Sequence, residues 1–284
     1  MTTRRRNVNS AVPLARCHQP APGRTFPAGY TAVVRPGSPR TDAAGMGMEF
    51  GLLRLRAGAV HRETTSQETV LVLLGGAVEV TLGGAIFAAA RRSLFDESPA
   101  TFHCGAGTVL TVKSTARDTE LAVIRAANPR SLPVRFYAPE ETATEDRGAG
   151  LAQGACRRLV RTVFDYSTRP DSALVVGEVV NYPGRWSSYP GHHHPQPEIY
   201  HYRFTLPQGY GHAEIGDTVC KVRHGDTTTI PGGLDHAQVS APGYGMYYLW
   251  IVRHLPRRPY KGFTFTHEHT WLLDAKNQGW QPSL

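Results

Sequence analysis

The chain is poor in cysteine, and the four it has, Cys17, Cys104, Cys156 and Cys220, lie far apart with no C-x-x-C spacing. That pattern excludes a disulfide framework and a thiolate zinc site, and leaves each cysteine as a reduced, partly buried small hydrophobe. Long apolar runs are missing as well: nothing approaches the roughly 18 residues that cross a bilayer as a helix, so no membrane partner is expected. The opening MTTRRRNVNS lacks the apolar stretch of a secretory signal, which assigns the chain to the cytoplasm. Clustered positive charge is also absent. The formal net charge is +8, yet the arginines are scattered, the longest run is Arg4 to Arg6, and no basic helix carries interleaved aromatics. Nucleic acid is therefore not an expected partner; an anionic small molecule accounts for a few of the arginines and solubility for most.

What is present is a series of short Val-, Leu- and Thr-rich segments separated by glycine-rich turns, uninterrupted by any helical stripe with cap signals. MEFGLLRLRAG, TVLVLLGGAVEVTLGG, TVLTVKST and TELAVIRA fall within residues 28–128, and a comparable set falls within 155–255. Each set reads as an antiparallel barrel of jelly-roll type, so the expected fold is all-β with two such domains in tandem. Residues 1–27, with prolines and the basic run, read as a mobile arm, and 129–154, rich in proline, acid and glycine, as a linker. The tail, 256–284, is too aromatic for disorder and is expected to pack on a barrel or a neighbouring subunit. Exposed barrel edges together with that tail point to a homo-oligomer.

The densest chemistry lies in NYPGRWSSYPGHHHPQPEIYHYR, residues 181–203. Strand alternation turns His192 and His194 to one side and His193 to the other. Pro195 and Pro197 block ladder donation, so an irregular segment delivers Glu198 onto the next strand. Later, Gly225-x5-Pro231-x-Gly233-x2-His236 uses turn residues to present His236 from a different strand. Three imidazoles and one carboxylate leave room for water or substrate and suit Zn, Mn, Fe or Ni. A histidine run alone would read as a solvated loop. Two motifs in this order resemble both metal motifs of the cupin superfamily, with Ser240 where the second motif usually ends in Asn and without the usual glycines around the first. The first barrel lacks this set: it offers His61, Glu63, Glu68 and His103, and reads as a metal-free support.

More specifically, RRLVRTVFD at 157–165, LVVGEVV at 174–180, GRWSSYPGH at 184–192, EIYHYRF at 198–204 and PGYGMYYLWIV at 242–252 resemble the 5-deoxy-glucuronate isomerase family of inositol catabolism, and more distantly 5-keto-4-deoxyuronate isomerase. The resemblance spans about residues 25–275. It implies a bicupin in which His192, His194, Glu198 and His236 bind one divalent ion per chain, Zn or Mn ahead of Fe or Ni. It also implies conversion of 5-deoxy-glucuronate, or a related sugar acid, to a 5-keto-2-deoxy-gluconate type ketose through an enediol. The chain departs from the family pattern in having only Pro195-Gln196-Pro197 between the second histidine and the glutamate, Gly191 in place of a usual proline, and Arg185 in place of a usual asparagine.

Such chemistry needs a proton shuttle and a carboxylate clamp. Glu178, a carboxylate in an apolar strand, is the candidate base. Tyr200 and Tyr202 share the Glu198 face by the period of two and are candidate donors, with polar-tipped barrel filling as the alternative. Arg185, Arg203, Lys221 and Arg223 are the substrate-binding candidates; Arg185 adjoins the ligand segment, whereas Arg203 has the opposite parity to Glu198. Two other functions fit the same ligands: an oxygen-dependent oxidase of a small acid, and an inactive sugar-acid-binding bicupin.

Overall fold

Segments such as LVVGEVVN are apolar at nearly every position because both faces of the strand are buried, not one. The computed structural model describes residues 17–23, 25–37, 45–277 and 279–283. It consists of two antiparallel barrels in tandem, and the helical elements among the described residues are three short 3₁₀ segments. Among the described residues no helix is long and apolar enough to cross a membrane.

The first barrel has a wall ordered Arg135–Tyr137, Thr101–Cys104, Glu68–Leu82, Asp118–Ala126, Met48–Arg56 and Gly29–Val34, with Ala85–Arg91, Val109–Ser114 and Val60–Thr64 on the other side. The 15-residue strand Glu68–Leu82 serves both walls by bending at Gly75 and Gly76. Gly76 has φ +92°, and a side chain there would collide with the Asp118 carbonyl, so the bend requires glycine.

The second barrel faces a seven-stranded sheet with a five-stranded one. The first is ordered His18–Gln19, Thr227–Ile230, Glu198–Phe204, Met246–Arg253, Leu174–Asn181, Arg158–Phe164 and Glu145–Arg147; the second is Thr218–Arg223, Tyr210–Ile215, His236–Ser240, Trp186–His193 and Thr264–Phe265. The larger sheet packs its outer face on the first barrel. Val176, Val180, Ile199, Tyr247, Leu249 and Ile251 meet Met48, Phe50, Val70, Val72 and Ile124 in one core. The alternate residues Val179, Tyr200, Tyr202, Phe204 and Tyr248 fill the barrel interior. Period-two strands therefore carry apolar groups in both registers, one for each core.

Two boundaries differ from those expected, those of the arm and the linker, while the tail packs on a barrel. Residues from 17 onward are packed rather than mobile: His18–Gln19 pairs with Thr227–Thr228, and Phe26 is buried between the barrels. The Arg4–Arg6 run lies outside the described residues. The linker span is part of the sheets, with Arg135–Tyr137 extending the first barrel and Glu145–Arg147 the second. The tail sits on the second barrel, where Thr264–Phe265 pairs with His192–His193.

Candidate metal centre

His192 and His236 are ladder partners across two strands of the smaller sheet, so their side chains leave the backbone side by side. His194 follows directly after its strand, where the backbone of Gly233 donates to the His194 carbonyl at 2.7 Å. The Pro231-Gly232-Gly233 turn lies against Pro195. A side chain at Gly232 would collide with the Pro195 carbonyl, and Gly233 adopts φ +89°, so both glycines are used sterically. Glu198 comes from the opposite sheet and reaches the same point.

Donor atoms of His192, His194 and His236 all lie within 4.8 Å of one another. Glu198 Oε2 is 3.1 Å from His194 Nε2 and 3.2 Å from His236 Nε2. All four side chains are buried. His236 Nδ1 lies 3.0 Å from the Leu234 carbonyl and donates to it, which turns Nε2 toward the cluster. That Nε2 is buried and makes no hydrogen bond despite its nearness to Glu198. His193 is turned away and sits 2.7 Å from Asp235, as alternation requires.

The electrostatics favour a cation. Burial alone would raise the Glu198 carboxyl, but the contacts with His194 and His236 hold it at about 2, so it is ionised. Burial, reinforced by His236, pushes His192 well below the usual imidazole value and keeps it neutral. Buried imidazole nitrogens without hydrogen-bond partners, gathered around one carboxylate, are the donor set a divalent ion satisfies. The residues present therefore fit the expected metal.

A cavity of about 580 Å³ opens from His192 and Glu198. Tyr200 lines it, its ring stacked 4.6 Å from Tyr248, whose hydroxyl is 2.8 Å from Ser187 Oγ. Tyr202 does not line it. Its hydroxyl is occupied by Gln238 Oε1 at 2.7 Å and Thr228 Oγ1 at 3.0 Å, in the role of barrel filling. The tail supplies a wall that the sequence reading missed. Tyr260 stands edge-on to His194 with centroids 4.9 Å apart, and Phe263 lies 4.2 Å from His192. The aromatic density of PYKGFTF was the only signal for it.

The expected base and clamp are placed elsewhere. Glu178 faces away from this cavity, on the inter-barrel side, and is fully buried. Arg91 of the first barrel grips it through two bonds of 2.7 and 2.8 Å, and Tyr247 donates to it at 2.6 Å. Arg203 also points between the barrels and pairs with Glu120 at 2.7 Å. Arg185, Lys221 and Arg223 are exposed and do not line the cavity. The basic residues that do line it are Arg147, Arg158 and Lys261. In the first barrel, His103 and Glu68 form a buried pair at 2.9 Å, tied to Ser172 and Ala173 of the second barrel, while Glu63 is held by Arg125 at 2.8 Å.

A model of the KduI/IolB family matches residues 24–272. The 5-deoxy-glucuronate isomerase of Shouchella clausii is 30% identical over 245 residues, covering 80% of this chain and 88% of that protein. The one from Geobacillus kaustophilus is 31% identical over 235 residues, or 76% and 82%. Among solved structures, an IolB-like protein from Salmonella typhimurium matches with a TM-score of 0.79 at 26% identity, covering 92% of this chain and all of the other. Oxalate decarboxylase from Lactobacillus farciminis, in a formate complex, matches at 0.65 with 11% identity over 92% and 91%, a likeness of fold alone.

Proposed function

The chain belongs to the KduI/IolB family, and from that premise we propose that it is a sugar-acid isomerase that converts 5-deoxy-glucuronate, or a close relative, to the matching ketose through an enediol. The ion would be held by His192, His194, Glu198 and His236. When bound there, it supplies Lewis acidity to the aldehyde and enediolate oxygens, which acidifies the C2 proton. The observation that carries the reading is the buried, unpartnered His236 Nε2 beside the Glu198 carboxylate, at the head of a cavity walled by hydroxyls.

The remaining work falls to the chain's own side chains. The reaction removes a proton from C2, returns one to C1 and shifts the carbonyl from C1 to C2, with no net oxidation. Tyr200, facing the cavity two residues from Glu198, takes the role of donor to the reacting oxygens. Tyr248, stacked on it, is pushed up to about 12, first by burial, so at neutral pH it is a phenol that donates rather than a base. Tyr260 and Phe263 cover His194 and His192, keeping bulk water from the ligand cluster. Glu178, locked to Arg91, takes no part in the proton transfer.

A proton NMR time course in D2O with metal-loaded protein and 5-deoxy-glucuronate tests this. The expected result is loss of the aldehyde signal and deuterium in the product's new C1 methylene, without oxygen uptake. Substrate left intact, or consumed only with oxygen, would reject the reading.

A further inference from the structure

The cavity has a second charged end. Arg158 lies on the strand Arg158–Phe164, whose residues Val160 and Thr162 line the same cavity, and it is the ladder partner of Arg147 on Glu145–Arg147. Arg91, Arg125 and Arg203 are matched to acids, Glu178, Glu63 and Glu120, and Arg253 is satisfied by the carbonyls of Gly47, Ala173 and Ala127. Arg158 is different. Its hydrogen bond goes to the Cys156 carbonyl at 3.0 Å through Nη1, and among the described residues no carboxylate lies within ion-pair distance of it. Its remaining donors face a cavity that is also lined by Arg147, whose guanidinium pairs with Glu145 at 2.7 Å on the protein surface.

We propose that Arg158, supported by Arg147, is the anchor for the substrate's carboxylate. The two tyrosines span the interval between the ends: the Tyr200 ring lies 6.0 Å from His236 and 4.6 Å from Tyr248, and the positive charge of Arg158 acts on the Tyr248 hydroxyl. A short, extended acid with its aldehyde at the histidines thus directs its carboxylate toward Arg158 and its hydroxyls toward the phenols. A guanidinium fork matches a carboxylate in shape, and a lysine does not. Burial and, secondarily, the like charge of Arg147 push the Arg158 guanidinium below its usual value, so an anion between the two arginines relieves both costs. Lys261, exposed and lying over the Tyr166 ring at 5.0 Å, stands at the rim.

This anchor rests on the isomerase reading, and the test keeps the two apart. KM and kcat are measured for wild type, Arg158→Gln and Arg158→Lys, with 5-deoxy-glucuronate and with 5-deoxy-glucose, its neutral counterpart bearing a primary alcohol in place of the carboxylate. Arg158→Gln is expected to raise KM for the acid by about 10- to 100-fold, the size of a lost charge-assisted fork. The neutral substrate should be affected far less, and Arg158→Lys should recover part of the loss. Equal losses on both substrates, or an unchanged KM for the acid, would overturn the anchor. If wild type leaves the acid unturned, the isomerase reading fails. Calorimetric titration of the acid into wild type and Arg158→Gln then decides the anchor: weaker binding to the variant supports it, and equal binding rejects it.

Discussion

Two buried carboxylates, Glu178 and Glu198, show how strand parity sets a residue's fate in this molecule. Both lie on strands of one sheet, yet Glu198 faces the barrel interior and Glu178 faces the first barrel. Removing the Glu178 carboxylate leaves Arg91 buried and unpaired. Glu178→Ala should therefore destabilise the protein by about 3–5 kcal/mol, seen as a lower melting temperature. Turnover by the folded fraction should change little. A fall of about 100-fold or more at a temperature where the variant is fully folded would mark Glu178 as a base after all. Parity was legible where one strand carried a fixed reference: it correctly put Tyr200 and Tyr202 with Glu198, and Arg203 opposite. It offered no assignment for RRLVRTVFD. That strand is buried on both faces and carries arginines in both registers, so Arg158 in the cavity and Arg161 against the carbonyls of Leu94, Phe95 and Glu97 read alike.

At the scale of elements, the ligand strands were legible because their punctuation is steric. Pro195 and Pro197 end one ladder before Glu198 begins the next, and Gly232 and Gly233 occupy positions no other residue fits. The tail was not legible as a strand. Thr264–Phe265 is two residues long and has no periodicity, and it is held by its ladder with His192–His193, by the Thr266 amide donating to the Gly191 carbonyl and by the ring contacts of Tyr260 and Phe263. These contacts orient two histidines of the cluster from outside. A chain ending at Pro259 should fold its two barrels but bind its ion about 10- to 100-fold more weakly, as measured by competition with a chelator. Unchanged affinity would show that the tail covers the site without ordering it. His18–Gln19 escaped notice for the same reason of brevity; its anchor is the Asp226 carboxylate, which contacts His18 Nε2 and the Ala21 amide, each at 2.9 Å.

At the scale of the whole molecule, two barrels could be read from two sets of strand-like segments, but their mutual packing could not. The core between them is built from the same apolar strands that fill each barrel, and its polar links join residues distant in sequence: Arg91 with Glu178, Glu68 with Ser172 and Ala173, and Arg203 with Glu120. In this arrangement the first barrel covers the outer face of the sheet that presents Glu198, while the histidine cluster opens on the inner face. Under the proposed function this places the chemistry on an ion at that cluster rather than on any single base. The most direct measurement is elemental analysis paired with isomerase assays, on wild type before and after chelation and on His236→Ala. The expected result is about one divalent ion per chain, loss of turnover on stripping, recovery on adding the ion back, and neither ion nor turnover in the variant. Full turnover by stripped protein, or by an ion-free His236→Ala, would contradict it.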